Sequence, residues 1–462
     1  MKIRGPLIAA VPGLLLASSL AAPAYGQDQP WLADRRYTEG MGYRVGDFEL
    51  HPGVALEFGY DSNFLLRASE GDAQGAPIGS FRLRVTPSFS FSTLGPQRMG
   101  ATPNQAPPSI EFSGGISATY NEFIPLHGGN NDADKDALSD QRNIGGQLDL
   151  RLGILPRRPW SGVLWANVGR FLQPSQEQIT GQGFRRVNPN AGAELVWNPN
   201  GGLLDWRLGY TLNSTIFEEE RFSGLTNFHH TIQTRGRWRF LPRSALLFDA
   251  RFGFIQYGSS STKSDSHPLR VQLGYNGLIT PNFGAMLMAG WGASFYSPIA
   301  GQTDATVPDF DSVIGQAELR YFFTPNTSVA PEATSSSLSA LALGFQRDFY
   351  DAYIGTYFER DRGYLKLSYL FGGKMVVIVD AGVGALVNPS IPVLHPAPWT
   401  DIRVDASGFA EYRFKDAFGI NTTIRYGTRI SDESLAIPDT PGAQDRLQWQ
   451  QFEAYLGARW LM

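Results

Sequence analysis

From residue 48 almost to its last residue, the chain falls into segments of about a dozen residues in which large apolar side chains alternate with polar or small ones. In 48–60 the even positions are Phe48, Leu50, Pro52, Val54, Leu56, Phe58 and Tyr60, and the odd ones are Glu49, His51, Gly53, Ala55, Glu57 and Gly59. Successive side chains of a strand point to opposite faces, so a period of two sorts one segment between two surroundings. Residues 81–93 repeat the division, with Phe81, Leu83, Val85, Phe89 and Phe91 on one side and Arg82, Arg84, Thr86, Ser88, Ser90 and Ser92 on the other. One face suits hydrocarbon and the other suits water. The pattern predicts an all-β fold, a single transmembrane antiparallel β-barrel.

Further segments of this kind fall at 109–123, 143–155, 161–172, 187–197, 203–216, 228–241, 245–258, 267–279, 283–296, 312–323, 338–349, 357–371, 375–387, 402–414, 418–430 and 448–462. Together they predict about eighteen strands, an even number, with both termini in the periplasm. Loop lengths support the count. Tight, turn-rich links at 156–160, 198–202, 242–244, 280–282, 372–374 and 415–417 alternate with longer ones at 61–80, 124–142, 173–186, 297–311, 388–401 and 431–447. Two links, 94–108 and 324–337, are long where periplasmic turns are expected. A further strand over 352–358 is excluded because it would break the parity.

Residues 1–26 carry Lys2 and Arg4, an apolar run over 7–20, and Ala24 and Gly26 at small-residue positions. This reads as a cleaved signal peptide. Residues 27–47 then form a short periplasmic segment and 48–462 the barrel. No other run of roughly eighteen apolar residues exists, so strands must carry any membrane crossing, because only helices and closed barrels satisfy every backbone group in hydrocarbon. A mean hydropathy of -0.20 is what an apolar outside averaged with a wet inside gives. The formal net charge of -4 offers no basic footprint for nucleic acid. With no cysteine, disulfides, thiolate catalysis and a lipid-modified N-terminal cysteine are all excluded.

Aromatic residues gather at the strand ends expected to be periplasmic: Trp197, Trp206, Trp238, Phe240, Tyr321, Phe323, Tyr412, Phe414, Phe418 and Trp460. That is the girdle of a barrel at headgroup depth in the outer-membrane bilayer. The final residues, Tyr455 to Met462, are similar to the C-terminal signal read by the outer-membrane assembly machinery, with Met in the last place where Phe is commonest.

Candidate chemistry is sparse. Arg207, Arg235, Arg237, Arg239, Arg251 and Arg270 are expected on the inward faces of neighbouring strands, where they would line the pore. Two readings stand: a positive strip that draws anions and holds polyanionic sugars, or side chains paired with Asp149, Glu194, Asp205, Asp249 and Glu318 that only fill the lumen. Asp132, Asp134 and Asp136 begin like a calcium loop, but Ala137 and Asn143 stand where the turn glycine and bidentate glutamate belong, so no metal is expected. Among the six histidines, His229 is expected inward on the eighth strand, where it could meet an acid. No nucleophile elbow or zinc-protease helix accompanies it, and no phosphate-binding loop occurs. Neither enzyme activity nor a cofactor is expected. The sequons at Asn213, Asn326 and Asn421 are polar strand and turn residues.

The first strand and its exit, Pro52-Gly53-Val54-Ala55-Leu56-Glu57-Phe58-Gly59-Tyr60-Asp61-Ser62-Asn63-Phe64, resemble the opening of the β-barrel porin type 2 family, whose members commonly begin with an apolar-Gly-Tyr-Asp-x-Asn segment. Asp361-Arg362 followed by Leu365-Lys366-Leu367-Ser368-Tyr369 is similar in style to later strands of that group. The resemblance implies exopolysaccharide or capsule production and the barrel of Wzx/Wzy-type export pathways, where a separate periplasmic protein completes the conduit. It implies an outer-membrane passage for a secreted polysaccharide. The alternative is a passive diffusion porin for small, anionic solutes. No sugar-binding residue carries over, because the motif lies in a structural strand.

Overall fold

The computed structural model describes residues 42–462 apart from 69–75, 95–107, 129–131, 175–182, 200–201, 259–262, 299–307, 324–338, 392–394, 437–443 and the single positions 157, 354, 373 and 416. The signal peptide expected over 1–26 lies outside the described residues. Eighteen long strands form the wall: β1 Phe48–Asp61, β2 Ile78–Thr93, β3 Ile110–Gly128, β4 Asn143–Ile154, β5 Trp160–Pro174, β6 Gly183–Trp197, β7 Leu204–Phe217, β8 Asn227–Leu241, β9 Ser244–Tyr257, β10 Ser266–Thr280, β11 Phe283–Tyr296, β12 Phe310–Phe322, β13 Ala340–Asp351, β14 Tyr357–Phe371, β15 Met375–Asn388, β16 Trp399–Lys415, β17 Phe418–Ile430 and β18 Trp449–Leu461. Each pairs antiparallel with its sequence neighbours, and β1 pairs with β18 from Gly53↔Leu461 to Asp61↔Glu453, which closes the ring. The excluded strand over 352–358 is absent among the described residues: β13 ends at Asp351 and β14 begins at Tyr357. At this strand number and an ordinary tilt the ring is roughly 35 Å across at the backbone.

The two faces differ as the alternation requires. Outward leucines are widely exposed, Leu273 at 68%, Leu456 at 63% and Leu343 at 61%, whereas Arg82 and Asp61, on the other face, are essentially buried. A soluble protein would bury such an apolar band, so the band marks hydrocarbon as its solvent. The aromatic girdle forms at the end carrying the shortest turns, where Trp160 stacks on Trp197 at 5.7 Å and Phe283 meets Tyr321 at 5.1 Å. The start of β1 and the end of β18 lie at that same end. There the three-residue strand Tyr43–Val45 pairs with β1 and the amide of Met462 donates to Pro52 O at 3.0 Å.

The opposite, long-loop end holds more structure than the sequence suggested. The segment expected as a loop over 124–142 contains a helix, α1, Asp132–Ser139. Its N-terminal acid suits the helix dipole, and its Leu138 is fully buried against Phe64, Ile78, Phe123 and Leu172. Eight residues give too short a periodic signal to read. A small hairpin, Ser434–Ala436 with Gln444–Arg446, stands nearby, where Leu447 packs with Ile391 and Trp399.

The opening motif works as the clamp of the closing seam. Asp61 Oδ1 accepts the Asn63 amide at 3.0 Å and Gln451 Nε2 of β18 at 3.1 Å. The Asn63 side chain donates to Arg67 O at 2.8 Å and Gln450 O at 2.9 Å and accepts the Arg67 amide at 2.9 Å. Gly59 faces Tyr455 so closely that a Cβ there would lie 2.2 Å from its ring and 2.3 Å from Ala454 O. Gly59→Ala is therefore expected to cost about 1–3 kcal/mol, as overpacking does. The heat-resistant folded band on unheated gels should weaken at a lower urea concentration; an unchanged midpoint would show that the seam is looser than the geometry says.

Candidate functional site

An outer-membrane β-barrel does its work on the wall that faces the water column, and here that wall is lined with charge. All six expected arginines lie on this inward face. Arg207 stands opposite Arg235 across β7 and β8, and Arg251 opposite Arg270 across β9 and β10. Like charges directly opposite repel, so acids are placed between them. Glu194 takes Arg207 at 3.2 Å and Arg235 at 2.7 Å, and Asp205 takes Arg207 at 2.8 Å. Asp249 takes Arg251 at 2.7 Å, and Asp348 takes Arg270 at 3.0 Å. Arg239 donates to Gly202 O at 2.6 Å, and Arg237 is also engaged.

Of the acids expected as partners, Glu194, Asp205 and Asp249 serve the strip. Glu318 instead pairs with Arg320 and accepts Tyr364 Oη at 2.7 Å, and Asp149 accepts Gln147 at 3.5 Å. His229 meets Thr231 Oγ1 at 3.1 Å. Among the described residues no group of three metal-ligating side chains converges, and Asp132 and Asp136 sit on α1.

Across the lumen the pairing is denser. Arg82 contacts Asp61 at 3.3 Å and Glu453 at 3.4 Å beneath the rings of Phe64 and Phe123, 4.7 and 4.6 Å away. Arg84 lies 4.0 Å over Tyr455 and Arg403 4.5 Å over Trp449. Acids are repeatedly shared between two cations: Glu453 by Arg82 and Arg425, Asp405 by Arg360 and Arg362, Asp380 by Arg362 and Lys366, and Glu411 by Arg413 and Arg459. One carboxylate between two cations leaves a positive surplus, so the wall is wet and mildly cationic without presenting a bare arginine strip.

The feature that sequence reasoning missed lies across the long-loop mouth. β12 and β13 pair only from Phe322↔Ala340 to Gly315↔Arg347, whereas β13 and β14 stay paired to Asp351↔Tyr357. The described residues of the hairpin tip, 348–353 and 355–358, leave the wall and lean inward as a strap. Phe349 stacks on Phe310 at 4.2 Å, and Arg270 covers the Phe349 ring at 3.9 Å while donating to its carbonyl at 2.5 Å. Lys263 Nζ donates to Gly355 O at 2.5 Å and also to Ala352 O, and Asp351 accepts Tyr257 Oη. At the far end Tyr353 packs 5.9 Å from Phe184 and 5.8 Å from Phe217, with its hydroxyl accepting Arg186 at 2.7 Å.

Phe184 and Arg186 belong to β6, seven strands from β13 around an eighteen-strand ring, so the strap runs as a chord over the lumen. Arg270, the top of the arginine strip, is one of its seats. Burial lowers the pKa of the Lys263 ammonium, opposed by Asp351, and raises that of the Tyr353 phenol. Both are costs of a polar group taken out of water, here offset by the strap's carbonyls and Arg186. The left-handed Gly355, φ +79°, lets the tip turn. The strap escaped the sequence because Phe349 keeps the parity of Leu341, Leu343 and Phe345, with only Arg347 interrupting the apolar face.

No protein-family model matches the chain, and no curated protein is similar to it in sequence. In fold it is similar to a BenF-like porin from Pseudomonas fluorescens Pf-5, 9% identical over 90% of this chain and 100% of that one, with a TM-score of 0.46. It is also similar to OccK2 (OpdF) of Pseudomonas aeruginosa in complex with glucuronate, 12% identical over 91% and 99% of the two chains, TM-score 0.44. A bacterial polysaccharide outer membrane secretin is 11% identical over 88% and 97%, TM-score 0.33. At this distance they add nothing to what the strand register of this chain already establishes.

Proposed function

We propose that the barrel is a non-enzymatic outer-membrane passage for a secreted polysaccharide of the exopolysaccharide or capsule type, in the manner of Wzx/Wzy-type export. One observation carries the reading: among the described residues the polar groups of the lumen do not converge on a single pocket but run along the wall, as ion pairs interleaved with ring faces such as Tyr455, Tyr364 and Trp449. A small-molecule receptor gathers its polar groups at one concave site. A chain that must slide needs many weak, equivalent contacts with carboxylates, hydroxyls and water. On this reading a separate periplasmic export protein delivers the polymer at the short-turn end.

Deleting the gene is expected to abolish surface polysaccharide, measured by sugar analysis of washed cells, and re-expression to restore it. Normal polymer on the deleted strain would end the reading. A second reading, passive diffusion of small anions, is favoured by the shared carboxylates and their cationic surplus. It predicts steady, anion-preferring conductance of the purified barrel in planar bilayers, together with unaltered surface polymer.

A further inference from the structure

We propose that the passage is electrically polarised along its axis and that its cargo is an acidic polysaccharide, captured at the short-turn end and released at the long-loop end. The identity of the cargo rests on the polysaccharide reading; the polarity does not. The nine links that join wall strands at the long-loop end contain seventeen acids and six bases, and the eight links at the other end contain two acids and five bases. Among the described residues, Glu218, Glu219 and Glu220 follow β7, and Asp432 and Glu433 follow β17. The short turns instead carry Arg158, Arg243 and Lys374, all exposed.

The basic side chains stand around the rim at separate turns. Arg158 lies between β4 and β5, Arg243 between β8 and β9, and Lys374 between β14 and β15, with Lys415 at the end of β16. Backbone bonds hold these turns: the Arg158 amide donates to Leu155 O at 3.3 Å, the Lys374 amide to Phe371 O at 3.1 Å, and Arg243 O accepts the Leu278 amide at 2.9 Å. Their charges are therefore spread for action on the axis and do not gather on one bound group. Inside this rim the wall stays mildly cationic, as where Arg413 and Arg459 share Glu411. At the far mouth the bases are taken up, Arg142 by Glu122 at 2.8 Å and Arg170 by Glu218 at 2.5 Å, while Glu220 and Asp432 are exposed.

Fixed charges drive nothing by themselves, but they set which end captures an anion faster and in which direction current passes more easily. Three surplus charges about 15 Å from the axis enrich anions roughly twofold in 0.01 M salt, where the Debye length is about 30 Å, and hardly at all in 1 M. A voltage that drives anions in through the basic rim and cations in through the acidic mouth fills the lumen with both. The opposite voltage empties it. The barrel is thus a rectifier whose easy direction for anions runs from the short-turn end to the long-loop end. A chain with a carboxylate on each sugar multiplies the effect, because many charges enter one field, whereas a neutral chain gains nothing.

Single barrels in planar bilayers test this. The chain has no cysteine, so the side on which Gln141→Cys, next to α1, reacts with a membrane-impermeant thiol reagent reports the orientation. In 0.01 M salt the current is expected to be about twofold larger at the voltage that carries anions in from the short-turn end, and symmetric in 1 M. Polygalacturonate oligomers should block about tenfold more often from that end than from the other, the low end of electrostatic steering, and dextran of the same length equally from both. Arg158→Gln/Arg243→Gln/Lys374→Gln is expected to abolish both asymmetries. Should that variant assemble poorly, Glu220→Gln/Asp432→Asn is expected to reduce the rectification from the opposite mouth. Symmetric current in 0.01 M salt would overturn the polarity, and it is also what a rim serving only to dock an acidic protein predicts. Rectification with equal block from the two ends, or with dextran as effective as polygalacturonate, would overturn the acidic cargo. Neither failure touches the export reading, which stands or falls on the surface polymer of the deleted strain.

Discussion

Asp401→Ala is expected to destabilise the folded barrel by roughly 3–5 kcal/mol, because it strands a buried guanidinium. Arg429 and Asp401 are each about 1% exposed. Asp401 Oδ2 accepts Arg429 Nε at 3.2 Å, Trp399 Nε1 at 3.0 Å and Asn388 Nδ2 at 3.3 Å. Alanine removes the charge and the acceptor of three donors at once. Asp401→Asn keeps an acceptor oxygen and should cost about 1–3 kcal/mol, the scale of a weakened charge-assisted bond. The control is the outward pair of Arg142 with Glu122 at 2.8 Å, where Arg142 is 59% exposed; Arg142→Ala should cost under about 1 kcal/mol. Urea-unfolding midpoints of barrels refolded in vesicles measure all three. Equal midpoints for Asp401→Ala and Arg142→Ala would mean that burial of the lumen wall does not govern its energetics.

The same contrast explains what the sequence could and could not reveal. Alternation located all eighteen strands because lipid and water reward opposite faces at every position. Even the odd connection between β13 and β14 read correctly, since a strand over 352–358 would have made the count odd and reversed the direction of every later strand. Which acid meets which arginine depends on stagger between strands, which local pattern does not carry. Glu194 bridging Arg207 and Arg235 was among the expected pairings, but Arg270 went to Asp348, a residue that reaches it only because the hairpin tip leaves the wall. Phe349 shows the limit most clearly: its parity assigns it to lipid, and the ring of Phe310, the guanidinium of Arg270 and the gap at Gly292 hold it inside. The Gly59-Tyr60-Asp61-Ser62-Asn63 segment was legible as a motif, yet its task, clamping the first strand to the last, became visible only with the closing register.

Glu194→Gln is expected to make the passage more anion-preferring, because the carboxylate it removes neutralises two arginines. Arg207 would retain Asp205 at 2.8 Å, whereas Arg235 would lose the ion pair at 2.7 Å that now holds it. One uncompensated charge some 7 Å from a passing ion is worth roughly 0.6 kcal/mol even at the dielectric constant of water. Screening at 0.1 M salt roughly halves it, and because it favours an anion as much as it disfavours a cation, the anion-to-cation permeability ratio should rise about threefold, read as a shift of reversal potential in planar bilayers. At 1 M salt the Debye length falls to about 3 Å and the shift should vanish. Glu122→Gln serves as the control: Glu122 stands opposite Leu83 on the lipid-facing side of β3, so the same loss of charge there should leave the reversal potential unmoved. If the two variants behave alike, or neither shifts at low salt, ions do not pass along the wall of β6 to β8, and the conducting path must run along the opposite side, past Arg84 and Tyr455.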